Sequence, residues 1–147
     1  GSAEAQTELG IMYAEGQGVT QDYNKSLELF ALAAEQGIAD AQFSLGLMYK
    51  NGQGVTQDYK QAVKWYTLAA EQDDADAQGN LGVMYGNGQG VSQDNVYAHM
   101  WFNIAASNGN SDALNNRDLV VKEMTKEQIT EAQKLARECV AKNYKGC

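Results

Sequence analysis

The sequence contains no proline, a single histidine and only two cysteines in 147 residues. Without proline, turns must come from glycine, asparagine and aspartate, and no helix can begin with proline in its first turn. One histidine leaves little room for a histidine-based catalytic constellation, which also needs a nucleophile and an orienting partner. Two cysteines and one histidine fall short of the roughly four ligands of a structural zinc site. Positive charge is scarce as well: residues 1–109 hold 4 Lys/Arg against 13 Asp/Glu, net −9, whereas residues 110–147 are net +1. A surface this acidic repels phosphate backbones, so nucleic acid is not an expected partner. No apolar run approaches the roughly 20 residues of a membrane-spanning helix, so no membrane insertion is expected. Gly1-Ser2 reads as a remnant of cloning, so a native upstream segment is expected to have been removed and the compartment stays open.

What is present is a repeat. Residues 3–36, 39–72 and 75–108 superpose in register, with a period of 36 residues and no insertion. Ala5/Ala41/Ala77, Leu9/Leu45/Leu81, Gly10/Gly46/Gly82 and Tyr13/Tyr49/Tyr85 recur, as do Gly16/Gly52/Gly88, Gly18/Gly54/Gly90 and Asp22/Asp58/Asp94. Each unit reads as two helices. Ala41, Leu45, Met48 and Tyr49 fall on one helical face. Gly46, beside that face, leaves room for a neighbouring backbone. Asn51-Gly52-Gln53-Gly54 breaks the helix, because glycine adopts positive φ at low cost. Asp58 is placed to cap the next helix, on which Ala62, Trp65, Tyr66, Ala69 and Ala70 form a second stripe. A single hairpin of this size cannot bury its own apolar face, so neighbours must stack.

The pattern A-x-A-Q-x-x-L-G-x-x-Y-x-x-G-x-G-V-x-x-D, followed by W-Y-x-x-A-A, resembles the Sel-one-like repeat family, a relative of the tetratricopeptide repeats. The resemblance implies an all-α fold, a right-handed α/α superhelical solenoid of antiparallel helix hairpins whose first helices line the concave face. It implies one domain over residues 1–147, with repeats at 3–38, 39–74 and 75–110. It also implies a bacterial protein that serves as a non-catalytic scaffold or adaptor, in the cytoplasm, the periplasm or secreted. The family's usual proline after the loop valine is replaced by Thr20, Thr56 and Ser92, and Leu29-Phe30 stands where the second unit has Trp65-Tyr66.

Residues 111–147 leave the pattern. Arg117 and Asp118 stand where leucine and glycine would be. Thr125-Lys126-Glu127-Gln128 is a capping-box sequence, and behind it Ile129, Ala132, Leu135, Ala136, Cys139 and Val140 make an apolar stripe. The opposite face carries Lys126, Glu127, Glu131, Lys134 and Lys142. This is the expected capping hairpin, with mixed charge outward.

Candidate chemistry is thin, and neither a cofactor nor a metal is expected. The Gly16-Gln17-Gly18 loops lack the preceding strand and lysine of a phosphate loop and read as turns. His99, between Ala98 and Met100, reads as a packed side chain; a hydrolase built on it is the least favoured reading. Asp73, Asp74 and Asp76 lack EF-hand spacing and read as acids near a helix start. Trp65, Tyr66, Trp101 and Phe102 read as core. Cys139 and Cys147 would lie about 12 Å apart along an unbroken helix, too far for the roughly 7 Å limit of a disulfide. Free thiols are therefore the leading reading, with a tail folding back at Gly146 as the alternative. The family's cysteine-rich secreted members carry a disulfide in each hairpin, and the absence of cysteine from the three regular repeats argues against that subtype.

Binding residues are sought where the units differ while the scaffold stays fixed. By similarity to tetratricopeptide proteins, the variable first-helix positions face the concave groove. The candidate site is Asp40, Phe43, Leu47, Lys50 and Asn51 in the second unit with Asp76, Val83 and Asn87 in the third. Phe43 has Thr7 and Gly79 as counterparts, and Gly79 and Gly86 are expected to leave the third unit shallow. Such a surface suits a protein or peptide with apolar anchors and basic flanks. The alternatives are that Ile11, Leu47 and Val83 only pack between helices, or that Phe43 fills the gap left by Gly79. A spacer or oligomerisation module within a longer array is the other functional reading; a monomer is favoured.

Overall fold

The computed structural model describes residues 2–147 as eight α-helices, with no β-strand among the described residues. The helices are α1 (Ala3–Glu15), α2 (Tyr23–Glu35), α3 (Ala39–Asn51), α4 (Tyr59–Ala70), α5 (Ala75–Asn87), α6 (Asn95–Ser107), α7 (Ala113–Val121) and α8 (Lys126–Ala141). They form two compact units, one ending at Ala69 and one spanning Ala70–Cys147.

The repeat consensus is legible in the turn that joins the helices of each regular hairpin. Gly16, Gly52 and Gly88 end α1, α3 and α5 in the left-handed conformation, with φ of 69°, 66° and 66°, which glycine adopts without a Cβ clash. The amide of Asp22, Asp58 or Asp94 then donates to the carbonyl of Tyr13, Tyr49 or Tyr85 at 2.9 Å in all three. The same aspartate caps the following helix, accepting from Lys25, Gln61 and Tyr97 amides at 3.2, 3.2 and 3.1 Å. Each cap of this kind contributes about 1 kcal/mol.

The helical glycine of each unit has an aromatic partner that was not expected. A Cβ on Gly46 would lie 2.8 Å from the ring of Tyr66, and one on Gly10 equally close to Phe30. On Gly82 it would lie 2.5 Å from Phe102. What the glycine admits is first an aromatic ring from the second helix of its own hairpin, and at Gly46 also the expected neighbouring backbone, the Ala62 carbonyl lying 3.3 Å from the Cβ position. Phe30, Tyr66 and Phe102 are all buried, each held edgewise against a bare stretch of helix.

In the first unit, α1 packs on α2 and α2 on α3, around Phe30, Ala33, Ala34, Ala41, Leu45 and Met48. Alanines at the helix contacts allow close approach, and the buried amide of Gln42 donates to the carbonyl of Ala34 at 3.2 Å. The motif glutamine thus gives a second donor to a helix C-terminal carbonyl that also accepts from the Gly37 amide at 3.0 Å. Gln78 repeats this in the second unit, donating to Ala70 at 3.1 Å and accepting from Asn108 at 2.9 Å.

In the second unit α6 is the hub: α5, α7 and α8 all pack against it. Thr125 and Gln128 form the expected reciprocal capping box at the start of α8. Ala132, Ala136 and Cys139 of the apolar stripe are buried, whereas Val140 remains 50 % exposed. The free-thiol expectation is overturned: Cys139 and Cys147 form a disulfide, their Cα atoms 5.6 Å apart. The distance argument assumed a helix running to the end, but α8 stops at Ala141. Asn143, Tyr144 and Gly146 then take positive φ, and the amide of Tyr144 donates to the Cys139 carbonyl at 2.9 Å. Gly146 alone does not reverse the tail; three left-handed residues do. The Tyr144 hydroxyl accepts from Asn108 at 3.4 Å and the Gly146 amide donates to Glu71 at 3.2 Å, fixing the tail on both sides.

Candidate functional site

The candidate residues fall in both units. Five lie on α3 in the first. Asp40 and Asn51 are exposed, while Phe43, Leu47 and Lys50 are half-buried. Phe43, Leu47 and Lys50 or Asn51 follow one another by about one helical turn and form a strip. Phe43 is not a free aromatic: its ring centroid lies 5.8 Å from that of Tyr66, tilted by 37°. Tyr66 is fully buried and its hydroxyl has no hydrogen-bond partner. Burial therefore holds that phenol well above its ordinary pKa, because the phenolate would lose its hydration.

Three candidates lie on α5 in the second unit, where the structure has a groove. Val83, Gly86 and Asn87 of α5 face Asn116, Leu119 and Val120 of α7 and Glu123 in the turn after it, with Asn95 and Phe102 of α6 beneath. Both walls are helical stripes with i, i+3, i+4 spacing. The cavity holds about 290 Å³. A smaller extension of about 130 Å³ shares Val83 and Asn116 with it and runs past Asn80 to Asn110 and Asp112. The structure thus brings Val83 and Asn87 together in one cavity.

Its chemistry is amide-rich above an apolar floor. Asn87 and Asn116 line the cavity, and among the described residues their side-chain amides have no hydrogen-bond partner. Asn80 is half used, its Nδ2 donating to the Asp76 carbonyl at 2.9 Å, and Asn95 accepts from Gln93 at 2.6 Å. A primary amide offers a donor and an acceptor side by side, which matches the peptide unit of an extended chain. The charged linings, Glu123 and Asp112, are both acidic, and no lysine or arginine lines either cavity.

The expectation of a shallow third unit holds in a modified way. Gly79 is covered: a Cβ there would meet Asn110 Nδ2 at 2.9 Å. That amide donates to Asp76 Oδ1 at 3.1 Å, which holds it over Gly79, and Asp76 itself lines neither cavity. Gly86 is the open one, with only the Ala98 methyl at 3.7 Å. The α7 wall was missed because residues 111–147 read as a cap. The available signal was Asn116, Leu119, Val120 and Glu123 at helical spacing, with Leu119 left 61 % exposed.

His99 is buried at 2 % exposure and its Nδ1 has no partner. Its pKa is lowered, first by burial and then by the Arg117 guanidinium, against a smaller opposing effect of Asp118. Asp74 caps α5, accepting from Ala77 at 2.9 Å, and Asp73 occupies a left-handed turn before it. Among the described residues no group of three or more His, Cys, Asp or Glu side chains is placed to hold a metal ion.

Comparison with known proteins places these features in a family. Residues 3–38, 39–74 and 75–110 each match the Sel1 repeat. A protective antigen of uropathogenic Escherichia coli displaying an SLR fold is 36% identical, with a TM-score of 0.90. That similarity covers 98% of this chain and 32% of the antigen, so the chain spans about a third of its length. A Sel1 repeat protein from Oxalobacter formigenes is 37% identical with a TM-score of 0.73, over 80% of this chain and 88% of that one. Cysteine rich protein B of Helicobacter pylori is 26% identical with a TM-score of 0.65, over 77% and 87% of the two chains. No curated protein matches the chain. Proteins built from these repeats are generally protein-interaction scaffolds and typically non-catalytic.

Proposed function

Because this chain belongs to the Sel1 repeat family, we propose that it is a non-catalytic scaffold that binds an extended protein segment on its first-helix faces. The groove between α5 and α7 is the best-formed part of that surface. The observation that carries the reading is the pairing of free amides at Asn87 and Asn116 with an apolar floor at Val83 and Phe102. Amides take the ligand main chain, and the floor takes an apolar anchor. With Glu123 and Asp112 at the edges and no cation in the lining, basic residues flanking that anchor are favoured. The α3 strip of Asp40, Phe43, Leu47, Lys50 and Asn51 is a second contact surface on its own unit, with half-buried Leu47 as its aliphatic anchor point.

Isothermal titration with basic–apolar peptides selected on the full chain tests this. Leu119→Asp and Asn116→Ala alter exposed or half-exposed wall residues and leave the core intact. Each is expected to weaken binding about tenfold or more, in the range of hot-spot truncations. Unchanged affinity in both variants, with melting temperatures preserved, would remove the groove as the site.

A further inference from the structure

A second cavity lies on another side of the same hub helix. It is formed between α6 and α8, holds about 500 Å³ and is open to solvent. Its floor is apolar: Ile104 and Ala136 are buried, and Val140 stands half-exposed at its edge. Its rim carries Asn103, Gln133 and Arg137. On α6, Phe102 serves the α5–α7 groove while Ile104 and Ser107 serve this cleft. At 100° per residue those positions point about 140–160° away from Phe102, so the two cavities do not share a wall of α6.

The polar side of the cleft is biased toward donors. The guanidinium of Arg117 donates to Asn103 Oδ1 at 2.8 Å. That contact uses the acceptor of the Asn103 amide and leaves its NH₂ as the available group. Arg137 is exposed, and among the described residues no carboxylate lies within ion-pair distance of it; the neighbouring Glu138 is engaged by Lys134 at 3.9 Å. The cleft lining contains no acid. In a chain with 19 acidic residues and 11 basic ones, this is an uncommon setting: an apolar hollow beside an uncommitted guanidinium and a donor amide.

We propose that the α6–α8 cleft is a second docking site, for a protein segment that presents a carboxylate next to an apolar side chain. The apolar side chain enters over Ile104, Ala136 and Val140. The carboxylate meets Arg137, whose planar fork of N–H groups matches it, with Asn103 and Gln133 donating beside it. The electrostatic preference is the reverse of that of the α5–α7 groove, so one hub helix would hold two partners of opposite charge. The proposal stands apart from the groove reading, since it uses different residues.

Random decapeptides displayed on phage and selected on the immobilised full chain are the probe. Enriched peptides are expected to fall into two groups, and this one carries Asp or Glu within one or two residues of Leu, Ile, Val or Phe. Synthetic members should lose at least tenfold in affinity on Arg137→Glu and a similar amount on Gln133→Glu. Replacing the peptide acid with its amide should cause a comparable loss. Both protein positions are exposed, so melting temperatures should be kept. Binding that depends on Arg137 but not on Leu119 reports this cleft; the converse reports the groove, and either can fail alone. The proposal is overturned if no enriched peptide depends on Arg137, or if acid and amide peptides bind Arg137→Glu as well as the native chain. It is equally overturned if light scattering shows an Arg137-dependent dimer, since the cleft would then be covered by a second copy.

Discussion

Two glycines one turn apart on α5 should respond to alanine in opposite directions. A Cβ on Gly82 would stand 2.5 Å from Phe102 Cδ1 and Cε1, and 3.0 Å from Cζ. Carbon atoms pack favourably at about 3.5–4.0 Å, so the ring must move by roughly 1 Å. Phe102 has little freedom to do so, being buried with Ala98, Ala105 and Ala113. Overpacking of this kind costs about 1–3 kcal/mol, against about 1 kcal/mol of helix propensity gained by alanine over glycine. Gly82→Ala should therefore lose up to about 2 kcal/mol, which for a unit of this size is up to about 8–16 °C in melting temperature. At Gly86 the nearest atom is the Ala98 methyl at 3.7 Å, an ordinary contact, and Gly86→Ala should gain about 0.5–1 kcal/mol. Two compact units can unfold separately, so the assay needs a local reporter. Trp65 belongs to the first unit and Trp101 to the second. A Trp65→Phe background leaves Trp101 fluorescence to follow urea unfolding of the second unit alone. Phe102→Leu in the Gly82→Ala chain should recover part of the loss, because a flat ring no longer opposes the new methyl. If Gly82→Ala matches or exceeds the native stability, the glycine–aromatic contact does not limit packing and the reasoning is wrong.

Three further outcomes are expected. Thiol titration in denaturant should find no free thiol without reductant and two with it. Closing an eight-residue interval restrains the unfolded chain by about 2.5 kcal/mol in the loop-entropy picture, so reductant should lower the melting temperature by several degrees; no change would mean that the tail frays without consequence. Phe43→Ala should cost about 1–2 kcal/mol, less than a fully buried phenylalanine, because it uncovers the Tyr66 ring; an unchanged melting temperature would show that Phe43 contributes no packing. For His99, the folded pKa lies below the unfolded value near 6.5. The unfolded state then binds more protons as pH falls through that value, so stability attributable to His99 is full above it and declines in acid. His99→Gln should flatten the melting temperature between pH 7 and 5 relative to the native chain, and parallel curves would refute the assignment.

The sequence could disclose what the repeat holds constant. Three copies of Gly-x-Gly and of the capping aspartate specify a turn, because positive φ and an exposed helix N-terminus each demand particular residue types. The same comparison singled out Val83 and Asn87 as candidates, since both vary where Tyr85 and Leu81 do not. It went astray where a residue's partner lies outside its own helix or where the pattern stops. Gly46 is bare for the sake of Tyr66, twenty positions on, and periodicity cannot say whether a ring or a backbone fills the space. Gly79 seemed open until Asn110, thirty-one positions away, covered it. The tail was judged by helix geometry, but its path is set by Asn143 and Tyr144, neither of which is a residue that announces a reversal as glycine does.

The largest omission, α7, has a physical cause that bears on function. A regular repeat places leucine and glycine where this chain has Arg117 and Asp118. Without that glycine α7 has no bare stretch to receive an aromatic ring, and Arg117 instead reaches Asn103 of α6. α7 touches α5 only narrowly, whereas each packs broadly on α6, so a gap opens above Phe102. Departure from the repeat therefore does more than end the pattern: it leaves Leu119 and Asn116 facing Val83 and Asn87 across a cavity that a regular hairpin would have filled more tightly. The same substitution orients the Asn103 amide toward the α6–α8 cleft by occupying its oxygen. One divergent helix thereby shapes both cavities, and Arg117→Leu, restoring the repeat residue, should narrow the first and free the acceptor in the second. Peptides selected for either cavity should then bind the variant less well while the chain stays folded. If both sets bind it as they bind the native chain, α7 is a passive cap and neither cavity owes its form to Arg117.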